Sequence, residues 1–99
     1  MVAGRIARDL GARYGARKVI LFGSLARGDQ GALFDIDLAV KGISPARFFE
    51  AVAFVTGLSR KWKVDLVDVD DCEVPLRDMI EHEGVVLWPA KEPSSRLES

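Results

Sequence analysis

The chain has 99 residues, 48% of them hydrophobic and 29% charged, with a formal net charge of −1. That length holds one folded domain, and the composition excludes fibrous and disordered classes. The near balance of charge argues against a nucleic acid as direct partner, and the single cysteine, Cys72, excludes an internal disulfide or a thiolate cluster and fits a reducing compartment.

In chain order, Ala3, Ile6, Ala7 and Leu10 recur at helical spacing with arginines on the other face, which predicts an amphipathic helix ending near Gly11 or Gly15. The segment lacks the unbroken apolar core of a signal peptide, and no run reaches the length that crosses a bilayer, so a cytoplasmic protein with no membrane partner is expected. KVILF (18–22) reads as a buried strand that stops at Gly23. SLARGD then offers a helical turn.

DIDLAV (35–40) alternates, with Asp35, Asp37 and Ala39 on one face and Ile36, Leu38 and Val40 on the other. Ser44 as N-cap and Pro45 at the first helical position open a helix that Gly57 stops, with Phe48, Ala51, Val52 and Val55 as its core stripe. Phe49, Ala53 and Phe54 extend its apolar surface beyond that stripe, as a partner surface or a tightly packed small core would. KVDLVDV (63–69) is a further strand, PLRDMIEHEG (75–84) a helix and VVLW (85–88) a last strand. The fold class is α/β (α+β), a small mixed sheet with helices mainly on one face. One domain over 1–90 and a flexible C-terminal tail over 91–99 are expected.

Charge is spread unevenly along these elements. Residues 1–27 carry Arg5, Arg8, Arg13, Arg17, Lys18 and Arg27 against Asp9 alone, whereas residues 65–83 carry eight carboxylates against Arg77 alone. An acidic cation site beside a basic flank suits a polyanionic ligand; two solvated faces of opposite sign give the same pattern.

Because side chains alternate, Asp35 and Asp37 project from one face about 6 to 7 Å apart. Two such carboxylates repel unless a cation lies between them, and hard oxygen ligands favour Mg²⁺ or Mn²⁺. Asp65, between Val64 and Leu66, points away from its apolar neighbours in the same way. If the two strands pair, three carboxylates meet on one patch. Gly23 lets a phosphate approach the backbone, Ser24 adds a donor, and Arg27 is close enough in sequence to reach the same anion. The duller alternatives are a turn glycine, an N-cap serine and a solvated arginine.

Other motifs fail on spacing. GSLARGD lacks the Lys-Ser/Thr of a P-loop. Calcium loops starting at Asp35 or Asp68 would need ligands where Ala39 and Met79 stand. A relay from Ser24 would depend on His82, the only histidine, in a distant acidic helix. Asp68, Asp70 and Asp71 read as solubilising a strand end and capping the next helix, and Trp62 and Trp88 as packing residues.

Gly23-Ser24, ten residues, Asp35-x-Asp37 in an apolar strand and Asp65 in a later one together resemble the signature of the DNA polymerase β-like nucleotidyltransferase superfamily. More closely, GSLARGD, DIDLAV and VDLVDVD resemble the minimal nucleotidyltransferase (MNT) family, over roughly Val19 to Trp88. The resemblance implies transfer of a nucleoside monophosphate, usually AMP from ATP, to an acceptor hydroxyl. On that basis Gly23, Ser24 and Arg27 bind the nucleotide, and Asp35, Asp37 and Asp65 are the catalytic and metal-binding residues. It also implies a helical HEPN-family partner, with this chain as the antitoxin of the pair. A nucleotide-binding protein that neutralises its partner by contact alone is the alternative, and self-association is left open.

Overall fold

A computed structural model describes residues 2–28, 35–58 and 61–89. Within them the elements run α1 (Val2–Tyr14), β1 (Lys18–Phe22), α2 (Gly23–Ala26), β2 (Asp35–Lys41), α3 (Pro45–Thr56), β3 (Lys63–Asp68), a 3₁₀ turn (Val69–Asp71), α4 (Val74–Glu83) and β4 (Val85–Trp88). The tail expected over 91–99 lies outside the described residues.

The strands form one mixed sheet in the order β3-β2-β1-β4. β1 is antiparallel to both of its neighbours, and β2 is parallel to β3. Parallel neighbours need a crossover, which α3 supplies between β2 and β3. α4 carries the chain from β3 back across the sheet to β4. Crossovers of one hand that step in opposite directions must cover opposite faces. That is the arrangement found.

On one face, Ala3, Ile6, Ala7 and Leu10 of α1 and Ala51 and Val55 of α3 pack against Val19, Leu21, Ile36, Leu38, Val40 and Val64. The four α1 positions are those that the helical spacing selects. On the other face, Ile80 of α4 and Val69 cover Ile20, Phe22 and Ala39. The shared α1/α3 face agrees with helices mainly on one side, and α4 takes the second. Full burial of each Leu, Ile or Val is worth about 1.5 to 3 kcal/mol, so the two clusters together hold the sheet between its helices.

α1 runs through Gly11 to Tyr14, and the Trp88 indole lies against Gly11, where any Cβ would collide with the ring. The indole Nε1 also donates to the Ala16 carbonyl at 3.1 Å, fastening the last strand to the first helix. Trp88 is thus the packing residue its sequence context suggests.

Several local expectations need correction. Ser44 occupies the N-cap of α3, yet its hydroxyl makes no capping bond; its carbonyl accepts from the Arg47 and Phe48 amides instead. Val52 is half-buried, while Phe54 turns back to meet Tyr14 with ring centroids 5.7 Å apart. β3 ends at Asp68, whose carboxylate accepts from the Asp70 amide and caps the 3₁₀ turn, not the following helix. No helix among the described residues is long and apolar enough to cross a membrane.

Candidate functional site

The register of the sheet decides which acids meet. Asp37 stands opposite Phe22 in the antiparallel pairing and opposite Asp65 in the parallel one, and Asp35 stands opposite Lys63. Residues directly paired share a face of the sheet. Asp35, Asp37 and Asp65 therefore lie together on the α4 face, just past the end of its apolar cover. Asp35 and Asp65 are exposed and Asp37 is half-buried.

The Asp37 carboxyl is held above the usual carboxylate range. Partial burial is the main cause, the charges of Asp65 and Asp35 add to it, and those of Lys63 and Arg27 oppose it. Both effects disfavour the ionised form. Among the described residues, no three His, Cys, Asp or Glu side chains form a group that could hold a metal ion as they stand. The patch is a set of mutually repelling anions on one face. An all-oxygen donor set in which the charges of Asp65 and Asp35 add to the cost of ionising Asp37 fits a hard divalent cation such as Mg²⁺ or Mn²⁺.

Beside this patch β1 breaks into the single turn of α2. Gly23 has φ +76°, a left-handed conformation that side chains rarely adopt, and a Cβ there would run into the Asp37 carboxylate, with Cγ at 3.2 Å. Glycine is required twice over. Arg27 donates from Nη2 to the Ser24 hydroxyl at 3.2 Å, and its Nη1 lies 3.9 Å from Glu83 Oε1 at the end of α4. The structure thus brings Gly23 to Asp37 and Arg27 to Ser24, on the β1 side of the acids.

On the β3 side a cleft of about 490 Å³ opens between Asp35 and Asp65 and the run Lys61, Trp62, Lys63, with Thr56 at its edge. Sequence reasoning missed Lys63, although the alternation that orients Asp65 also orients a residue two positions earlier. His82 is bonded within α4 to the Asp78 carbonyl at 2.8 Å, so the structure gives no relay to Ser24.

The sequence pattern of the family described as polymerase beta, nucleotidyltransferase matches residues 9–93. The chain belongs to the polymerase beta nucleotidyltransferase family. No curated protein matches it. Among solved structures of this fold, one described as a minimal nucleotidyltransferase is 29% identical, with a TM-score of 0.65 over 85% of this chain and 88% of that one. A toxin–antitoxin structure with AMP-PNP is 23% identical, with a TM-score of 0.70 over 95% of this chain and 78% of that one. The complex of tri-AMPylated Shewanella oneidensis HEPN toxin with MNT antitoxin is 21% identical, with a TM-score of 0.60 over 97% and 76%. The last two likenesses show that this nucleotidyltransferase shares the fold of such antitoxins.

Proposed function

We propose that the protein is a Mg²⁺-dependent nucleotidyltransferase that moves AMP from ATP to a hydroxyl of a HEPN-family partner and thereby acts as the antitoxin of the pair. One juxtaposition carries the reading: Asp37 lies beside Asp65 across the parallel ladder while Gly23 lies against Asp37. It is supported by the family of the chain, and by relatives of the same fold that were solved with AMP-PNP and with an AMPylated HEPN toxin.

On this reading Asp35, Asp37 and Asp65 hold one or two Mg²⁺ or Mn²⁺ ions. When bound, the cation offsets the mutual repulsion of the acids and polarises the α-phosphate. The Gly23 backbone leaves room for the triphosphate, and Ser24 and Arg27 donate hydrogen bonds to it. Asp65, on the strand at the edge of the sheet, stands beside the attacking hydroxyl as cation ligand or proton acceptor. The protein contributes mainly positioning and charge, as phosphoryl transfer requires.

The test is incubation of the purified protein with α-labelled ATP, Mg²⁺ and a HEPN-family protein as candidate partner. Label on the partner, lost in an Asp35→Asn/Asp37→Asn variant, is the expected result. Inhibition of the partner without label, surviving the double substitution, would replace enzymatic transfer by neutralisation through contact.

A further inference from the structure

The acidic patch has two unlike flanks. Toward β1 stand Gly23, Ser24 and Arg27, with Arg27 bonded to the serine. Toward the β3 edge lies the cleft of about 490 Å³ lined by Asp35, Asp65, Thr56, Lys61, Trp62 and Lys63, with Lys63 beside Asp35 in the parallel ladder. Among the described residues β3 pairs with β2 alone, so this flank lies at the rim of the sheet.

Displacement at phosphorus runs in line: the acceptor oxygen forms its bond to the α-phosphorus on one side as the bond to the pyrophosphate oxygen breaks on the other. Pyrophosphate leaves toward Gly23 and Ser24, and the hydroxyl proton passes to the Asp65 carboxylate or to water. With the triphosphate on the β1 flank, the acceptor must arrive over β3. We infer that the Lys61–Trp62–Lys63 cleft is the acceptor subsite, and that it selects a hydroxyl-bearing protein segment flanked by acidic residues. This rests on the transfer reaction proposed above.

The chemistry of the walls supplies the selectivity. Lys61 and Lys63 are exposed, and Lys61 Nζ lies 5.5 Å from the centre of the Trp62 ring. The indole offers flat apolar area for a side chain next to the acceptor, and the ammonium groups beside it attract carboxylates. Trp62 and Val64 also wall a second cleft of about 310 Å³ that runs toward Arg5 and Asp9 of α1.

The experiment uses the full chain and three probes: a tyrosine peptide flanked by glutamates, the same peptide flanked by lysines, and a short single-stranded RNA. Binding is measured by calorimetry with Mg²⁺ and α,β-methylene ATP, which cannot undergo transfer, and turnover separately with ATP. The glutamate-flanked peptide should bind the wild type best. Lys61→Glu should weaken that peptide at least about fivefold, strengthen the lysine-flanked one, and leave nucleotide affinity within about twofold. The exchange of preference separates a specificity role from simple loss of folding. Equal binding of both peptides, an unchanged preference in Lys61→Glu, or preference for RNA would overturn the assignment. Peptide binding that follows the expected pattern without any AMP transfer would uphold the subsite and refute the transferase reading instead.

Discussion

Asp37 of β2 and Asp65 of β3 are direct partners in a parallel ladder, so two carboxylates separated by a whole crossover helix share one face of the sheet. Neighbouring like charges on a sheet are destabilising without a counter-charge. That cost is built into the backbone register and cannot be relieved by a change of loop.

The cost is visible in the direction of the Asp37 shift. The folded protein holds the Asp37 proton more tightly than the unfolded chain, because of burial first and then Asp65 and Asp35. Stability from this group is therefore present below the ordinary Asp value of about 3.8 and is lost as pH rises through the higher native value. In EDTA, Asp37→Asn should raise the thermal midpoint near pH 7 and give no gain near pH 3, while abolishing AMP transfer. A lower midpoint for the variant near pH 7 would contradict this account.

A divalent cation should reverse the penalty in the wild type. Mg²⁺ at ten times its dissociation constant should stabilise the fold by about 1.4 kcal/mol. The increment, read from urea titrations with and without Mg²⁺, should vanish in Asp35→Asn/Asp37→Asn.

Gly23→Ala tests the contact between the turn and the acid. The left-handed backbone alone should cost about 1 to 3 kcal/mol in an alanine, and the added methyl group also displaces the Asp37 carboxylate. Chemical denaturation should show the loss of stability, and calorimetry with Mg·ATP should show weakened binding in the fraction still folded.

The two outlying phenylalanines of α3 should behave differently. Phe49 is 77% exposed, so Phe49→Ser should change stability by no more than about 0.5 kcal/mol. Phe54 packs against Tyr14 and lies under the Arg13 guanidinium at 5.0 Å, so Phe54→Ser should cost several times more. Unfolding midpoints of the two variants give the comparison directly.

Much of the site is legible in the sequence because strand alternation is a local rule. It orients Asp35, Asp37 and Asp65 before any pairing is known, and the apolar residues between them identify the buried side. Whether those faces coincide depends on register. Phe22 opposite Asp37 and Asp65 opposite Asp37 are tertiary facts that spacing only suggests. Lys63 was legible by the same alternation as Asp65. By contrast, the pairing of Arg27 with Glu83 depends on α4 crossing the second face, which follows from strand order. Ser44 marks the start of α3 by position, but the side-chain bond that usually accompanies such a residue is not formed.

The indole of Trp88 joins the two ends of the described chain, one edge pressed on Gly11 and its nitrogen bonded to the Ala16 carbonyl. The residues assigned to nucleotide and acids all fall between these ends, from 23 to 65. Through this clasp β4 cannot peel from β1 without also loosening α1, the helix that covers Val19 and Leu21 on the far side of the sheet.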